Sequence, residues 1–363
     1  MSELSMEPRE IVEAALSGLS RGEAVELLAE GDFMALAKAA EEVTLKLWGD
    51  AVTFVNNVVI NYSNVCVARC PICAFYRPLG HPEAYTRRPE EVAKAVAEAS
   101  ARLGVTELHI NGGFNPELDI EYFEGLFRSV KRAAPGVAVK GPTMAEVDYY
   151  SRLWRMSWRE VLERWKEAGL DAISGGGAEI FAGEVRKAVS PHKISGEEWL
   201  SIAELAHRLG IPSNATMLYG HVERPEHVVD HIYRVRELQE KTGGLLLFIP
   251  VNFNPLNTEL YARGVVRGMA PAAYDVKVVA IARLILLDRL KVGAYWLSTG
   301  KRVASTLLLA GANDLVGTMY NEAVLTAAGA RHGATAEELA ALAREAGRRP
   351  ALRDTFHRVL RWL

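Results

Sequence analysis

The chain places all three of its cysteines, Cys66, Cys70 and Cys73, inside "NYSNVCVARCPICAFYRPLG", residues 61–80 of 363. An odd number of thiols so close together cannot form a disulfide framework, which needs pairs spread along the chain. Metal ligation is the better use of them. Spaced C-x3-C-x2-C, they fall one short of the four ligands that a closed structural zinc or an electron-transfer cluster normally takes. His81 is the nearest further donor, but it lies beyond Pro78 and Gly80 on a segment with no helical phase. A 4Fe-4S cluster held by three thiolates alone keeps one iron open to a small molecule. Structural zinc and incidental buried thiols are the competing readings; the close spacing and the absence of any other cysteine weigh against both.

Apolar runs of strand length alternate with amphipathic segments from about residue 52 to about residue 320. The expected strands are "VVINY" (58–62), "ELHING", "VAVKGPT" (137–143), "AISGGG" (172–177), "SNATMLYG" (213–220), "LLLFIPVNF" (245–253), "GAYWLS" (293–298) and "DLVGTM" (314–319). Between them, segments such as "PEEVAKAVAEASARLG" and "RPEHVVDHIYRVRELQEKTG" end in glycine, as helices do. Eight such units predict an α/β fold, a (β/α)8 TIM-type barrel over residues 51–320. A doubly wound sheet is the main rival. Residues 1–50 predict an N-terminal helical cap on the barrel's bottom, and 321–363 a C-terminal helical extension that starts at the Thr335/Glu338 capping signature and runs to "AGRRP".

A net charge of −3, with 49% hydrophobic and 24% charged residues, offers no electrostatic case for nucleic acid, so the expected partner is a small molecule. The first twenty residues carry acids and a proline where a signal peptide needs a basic start, and no apolar run approaches membrane-spanning length. A cytoplasmic location is expected.

In a barrel the chemistry gathers where the strands end. Asn111, Gly112 and Gly113 end the second strand, where glycine lets a backbone carbonyl approach a ligand; a simple turn is the alternative. Gly175, Gly176 and Gly177 lead to Glu179, which reads either as a cradle for a ribose or carboxylate or as a helix-start acid. Lys140, Thr143 and Glu146, then Asn214, Thr216, Tyr219 and His221, then Asn252, Asn254 and Asn257 complete the polar rim. Asn214 and Thr216 share one face of their strand, and Tyr219 takes the other.

An open iron on a three-cysteine cluster is what radical S-adenosylmethionine enzymes use. "NYSNVCVARCPICAFYRPLGHPEAY", "SGGGAEIF", "NATMLYGHVE", "RVRELQEKTGG", "YWLSTGK" and "AGARHG" together resemble the menaquinone-pathway radical enzymes that act on futalosine derivatives. The likeness runs from about residue 50 to residue 358. Within that group the two ends of the chain are closer to dehypoxanthine futalosine cyclase, and "GGGAEIF" and "PSNATMLYGH" to aminofutalosine synthase. Two positions depart from the pattern: Ile72 stands where an aromatic residue is common, and Asn115 where the family has histidine.

The resemblance implies a 4Fe-4S cluster on Cys66, Cys70 and Cys73 and S-adenosylmethionine as cofactor. It also implies a nucleoside or benzoate substrate and an external electron donor such as flavodoxin or ferredoxin. Cofactor contacts are expected from Asn111, Gly112, Gly113, Gly175, Gly176, Gly177, Glu179, Asn214 and Thr216, and catalytic roles from Glu179, Tyr219 and His221. The cyclase reaction, hydrogen abstraction from the ribose 4′ carbon followed by ring closure, is the leading expectation. Adenosyl addition to an enolpyruvyl benzoate is the alternative.

Overall fold

The computed structural model describes residues 6–330 and 333–363. Arg331 and His332 of "AGARHG" therefore lie outside the described residues. Three helices open the chain, α1 (Pro8–Gly18), α2 (Arg21–Glu30) and α3 (Phe33–Trp48). Next come β1 (Ala51–Val55) and β2 (Asn57–Asn61), separated only by Asn56. The alternating body comprises α4 (Pro89–Leu103), β3 (Glu107–Asn111), α5 (Ile120–Ala133), β4 (Ala138–Thr143), α6 (Met144–Trp154), α7 (Trp158–Ala168), β5 (Ala172–Ser174), α8 (Gly183–Val189), α9 (Gly196–Arg208), β6 (Ser213–Tyr219), α10 (Pro225–Thr242) and β7 (Leu245–Asn252). It continues through α11 (Glu259–Ala262), α12 (Ala272–Leu286), α13 (Trp296–Thr299), α14 (Lys301–Leu308) and β8 (Asp314–Gly317). The chain ends with α15 (Val324–Ala327), α16 (Ala336–Glu345), β9 (Arg349–Arg353) and β10 (Val359–Trp362).

Local chemistry sets many of these boundaries. Ser20, Thr143, Ser157, Ser195 and Thr335 each cap a helix whose third residue is a glutamate that bonds back to the cap, satisfying two orphan amides at once. Gly104, Gly169 and Gly243 take the left-handed conformation that stops α4, α7 and α10.

Parallel pairing runs β2-β3-β4-β5-β6-β7 in one sheet, and β1 joins β8 and β9 in a second. The two meet because β1 and β2 act as one strand: Thr53 pairs with Asp314, and Val58 bridges to Tyr320 just past β8. On the other side Phe248 of β7 bridges to Val292, and Gly293 to Asp314. Backbone bonds from Gly293 N to Phe248 O (2.8 Å) and from Ala294 N to Asp314 O (2.7 Å) carry the ring round. "VVINY" pairs with "ELHING" through β2 and β3, whereas "DLVGTM" pairs with β1, the segment just before "VVINY", and "VVINY" reaches the end of β8 through the Val58–Tyr320 bridge.

Two expectations need correction. "GAYWLS" is not a full strand; after the Val292 and Gly293 bridges the chain turns into α13, which buries Trp296 and lets its indole N–H reach Gly317 O at 3.0 Å. The C-terminal extension is not all helical. Past α16, β9 pairs parallel with β1, and β10 pairs antiparallel with β9. The N-terminal helices pack along α10 and α12, with Trp48 Nε1 bonded to Leu287 O at 2.9 Å and Thr44 Oγ1 to Gly311 O at 3.2 Å.

A buried ionic layer lies toward the N-terminal ends of the strands. Arg353, at the end of β9, grips Asp314 through two bonds, Nε to Oδ2 (2.7 Å) and Nη2 to Oδ1 (3.0 Å), with both side chains fully buried. Beside them Lys140 pairs with buried Glu107 at 2.7 Å. Among the described residues, no helix is long and apolar enough to cross a membrane.

Burial alone would raise the Asp314 carboxyl, but the Arg353 guanidinium outweighs it and brings the group down to about 2. Its stabilising effect is complete above the unfolded value of about 3.9 and is lost as pH falls toward the folded value. Thermal melts should therefore drop between about pH 4 and pH 2 more steeply in the natural chain than in one carrying Asp314→Asn with Arg353→Met. Arg353→Ala alone leaves a buried carboxylate without its partner and should cost about 3 to 5 kcal/mol, read from urea unfolding.

Candidate functional site

The cysteines lie in the loop after β2, at the C-terminal mouth of the ring. The loop is pinned from both sides: Cys66 N bonds to Arg77 O (3.0 Å), Val67 N to Phe114 O (3.0 Å) and Leu260 N to Pro71 O (3.1 Å). Gly113 allows this closeness, since a Cβ there would meet Val65 O at 2.1 Å and Cys66 Cβ at 2.8 Å. Burial pushes the Cys70 thiol up to about 12 and the Cys73 thiol upward as well. Thiolates at this site therefore need a cation, which bound iron would provide. No three His, Cys, Asp or Glu side chains among the described residues converge where one ion could be gripped. Mononuclear zinc, with bonds of about 2.3 Å to each sulfur, fits poorly. A 4Fe-4S cluster would suit the set, because its three thiolates would not have to converge on one ion.

A cavity of about 280 Å³ runs from Cys70, Ile72 and Cys73 down the barrel axis. A larger hollow of about 610 Å³ lies against Arg87, Glu91 and Thr326 but does not reach the cysteines. The inner cavity joins the thiols to the strand ends. Asn111, Gly175, Gly176, Glu179, Asn214 and Thr216, all expected at the rim, line it. Alternation along β6 turns Asn214, Thr216 and Leu218 inward and Tyr219 outward.

Glu179 adopts a left-handed backbone (φ 46°) and ties to β6 through Leu218 N to Glu179 O at 2.7 Å. Helix α8 starts four residues later, so Glu179 is not a helix-start acid. Its Oε1 lies 2.9 Å from Lys193 Nζ, and both side chains line the cavity. Burial works against the Glu179 charge, but Lys193 overcomes it and holds the carboxyl below its usual range. Lys193 escaped the sequence reading; "PHKIS" between two helices carries no periodic signal, and only the fold brings it to Glu179. The glycines before Glu179 are fixed by side chains: Thr216 Oγ1 bonds Gly175 O (2.7 Å), Trp199 Nε1 bonds Gly176 O (3.3 Å) and Arg186 Nη2 bonds Gly177 O (3.2 Å).

Several expected residues are placed elsewhere. Tyr219 points to the outer helices, its hydroxyl donating to Asp275 at 2.7 Å. His221 has both ring nitrogens engaged: Nδ1 accepts from Val222 N (2.8 Å) and Nε2 sits 3.0 Å from Leu218 O. Neither is free to take a proton from a ligand. Gly112 and Gly113 answer to packing, since a Cβ on Gly112 would strike the Tyr62 ring at 2.6 Å, and Gly113 O already accepts from Tyr62 and Tyr150. Gly177 packs against Ala145 rather than lining the cavity. Glu146 accepts from Tyr62, Gly112 and Thr143, and Asn252 donates to Asp275, both outside the cavity. Asn257 is spent on Ala327 O. Asn115 is buried and donates to Ser63 and Thr86, so the departure from histidine falls on a loop tie and not on the cavity wall. Lys140 stands at the cavity floor instead of the rim.

Cys66→Ala, Cys70→Ala and Cys73→Ala should each fold and each lose the brown colour and the bound iron after anaerobic reconstitution. Wild-type iron content in any one of them would remove that residue from the ligand set. Glu179→Gln keeps the shape but leaves Lys193 without its counter-ion. Ligand affinity at the rim should fall about ten- to several-hundredfold, as expected for one or two charge-assisted bonds, whereas a merely structural Glu179 would lower only the melting temperature.

Compared with known proteins, residues 60–234 match the radical SAM superfamily profile and residues 242–362 match the CofH/MqnC C-terminal region. The chain is 40% identical over 348 residues to a Methanopyrus kandleri 5-amino-6-(D-ribitylamino)uracil–L-tyrosine 4-hydroxyphenyl transferase, covering 95% of this chain and 94% of that protein. It is 38% identical over 355 residues to the Thermus thermophilus aminodeoxyfutalosine synthase, covering 97% and 95%. In fold it is similar to the FeFe-hydrogenase maturase of Carboxydothermus hydrogenoformans, with a TM-score of 0.72, 17% identity, and 97% and 80% of the two chains covered. Methylornithine synthase gives a TM-score of 0.70 at 17% identity, covering 94% and 97%. With three thiols at the mouth of a parallel ring and matches of this extent, the chain belongs to the radical SAM superfamily, whose enzymes use a 4Fe-4S cluster and S-adenosylmethionine, and to its branch with the CofH/MqnC C-terminal region.

Proposed function

We propose that this enzyme joins the adenosyl group of S-adenosylmethionine to an enolpyruvyl-bearing benzoate, the aminodeoxyfutalosine synthase reaction. Identity of 38% to the Thermus thermophilus synthase and 37% to the Streptomyces coelicolor one, each over 97% of this chain, supports it over the cyclase expected first. When bound, the cluster supplies the electron that breaks the sulfonium bond and yields a 5′-deoxyadenosyl radical. The protein's own residues orient and shield. Glu179 Oε2 and the spare Lys193 donors would hold ribose hydroxyls and the methionine carboxylate, with Asn214 and Thr216 beside them. Val59, Leu218, Ile249 and Val251 keep water from the reacting carbon. A 5′-deoxyadenosyl radical held there would add through its 5′ carbon to the methylene of the enolpyruvyl group, spending the carbon–carbon π bond and leaving the unpaired electron on the neighbouring carbon.

The observation that carries this reading is the charge pattern of the cavity. Its two carboxylates are committed: Glu179 to Lys193, and Glu322 to the amides of Val324, Leu325 and Thr326 at the start of α15. Its cations, Lys140 and Lys193, stand at opposite ends. Such a cavity suits an anionic aryl substrate. The second reading is the transferase named by the 40% identical relative, which takes L-tyrosine. A tyrosine ammonium would have to share Glu179 with Lys193 and the hydroxyls placed there, or displace the amides bonded to Glu322.

Reconstituted enzyme given dithionite, S-adenosylmethionine and the enolpyruvyl benzoate should form a product that contains the adenosyl group, seen by mass spectrometry. Release of free 5′-deoxyadenosine with dehypoxanthine futalosine would restore the cyclase. Transfer of a hydroxyphenyl group from tyrosine would establish the second reading.

A further inference from the structure

The lower end of the cavity is built from groups that the reaction at the rim does not use. Asn57, His109 and Lys140 line it, and His109 and Lys140 are register partners on β3 and β4, so their side chains stand together on the inner face. Lys140 gives one donor to Glu107 at 2.7 Å and keeps others. Asn57 is spent, its Nδ2 on Glu107 at 3.2 Å and its Oδ1 on Met319 N at 2.8 Å. No hydrogen bond joins the His109 ring to any described residue, although the ring faces the cavity. Burial, with the Lys140 charge adding to it, pulls His109 down to about 4, so near neutral pH it is an uncharged ring with one donor N–H.

The layer below is unbalanced. Lys140, Lys291 and Arg353 bring three positive charges against the two of Glu107 and Asp314. Lys291 bonds only the neutral Thr53 hydroxyl, at 2.8 Å. A cavity floor with one excess positive charge, a free ammonium donor and an unpartnered imidazole is complementary to an anion with two acceptor oxygens. The walls above it are apolar, which suits an aromatic ring standing on that anion.

We infer that His109 and Lys140 bind the ring carboxylate of the aryl substrate and set the enzyme's specificity for a benzoate, a statement that rests on the proposed function for the identity of the ring. The enolpyruvyl end then faces the rim, where the 5′ carbon is delivered. His109 is a specificity residue here and takes no part in the radical step.

The test compares the enolpyruvyl benzoate with the same phenyl ether lacking the ring carboxylate, by equilibrium binding to the reconstituted enzyme and by turnover. Wild type should bind the carboxylate-free ether about ten- to a hundredfold more weakly, the loss of one or two charge-assisted bonds. His109→Leu should weaken binding of the full substrate by a similar factor and narrow its advantage over the ether, with iron content at the wild-type level. His109→Gln, which restores a donor, should recover part of the difference. Equal binding of the two compounds by wild type, or a His109→Leu variant that keeps the full discrimination, would overturn the inference. A wild type that cleaves S-adenosylmethionine and discriminates between the ligands but converts neither would overturn the proposed function and leave the carboxylate site standing. One that binds neither compound would overturn both.

Discussion

The carboxylate of Asp314 holds the two ends of the barrel wall together. Its side chain takes Arg353 from β9 and the Thr53 hydroxyl from β1, and its backbone pairs with Thr53 on one side and Gly293 on the other. The first strand, the last strand and the C-terminal strand thus converge on one buried charge. A buried ion pair of this kind is weak evidence for net stability, because removing two ions from water offsets much of their attraction. It is stronger evidence for register. If β9 slipped by one residue, Arg353 would face the wrong side of its strand and strand Asp314 in the core.

That register reaches the active site through alternation. With Asp314 at the bottom of β8, Val316 faces the cavity two residues on, and the same counting on β3 puts Glu107 in the ionic layer, His109 at the floor and Asn111 near the rim. Polar character at the two ends and apolar character between them therefore follow from a single choice of phase. The arrangement fits radical chemistry, which needs polar groups to position the reactants but no ready hydrogen donor beside the carbon that reacts.

Much of this was legible in the residues. The thiol spacing carried the cluster, because three ligands without a fourth have few other uses. Strand positions followed from period, and Gly175, Glu179, Asn214 and Thr216 from the rule that chemistry lies at strand ends. What could not be read was which side each rim residue would take and what it would meet there. Tyr219 and His221 looked like candidate acids and bases, yet Asp275 and the loop's own amides claim them. Lys193 and His109 went unremarked because each becomes meaningful only beside a partner distant in sequence, Glu179 in one case and Lys140 in the other. The C-terminal strands were read as helix for a related reason. "RPALR" has no strong alternation of its own, and it pairs because β1 offers a free edge and Asp314 an unmatched charge.

The glycines mark where sequence patterns mislead about cause. Gly112 and Gly113 sit where a ligand contact was expected, but the Tyr62 ring and the cysteine loop already fill the space a side chain would need. Gly175 is likewise required by the approach of β6, with Asn214 backbone atoms 2.8 Å from where its Cβ would be. These residues let β3 press against the loop that carries the thiols and let β5 press against the strand that carries Asn214 and Thr216. A glycine motif at a strand end is therefore evidence that two backbones meet closely there. The side chains that this closeness brings to the cavity wall are Glu179 with Lys193 above and His109 with Lys140 below.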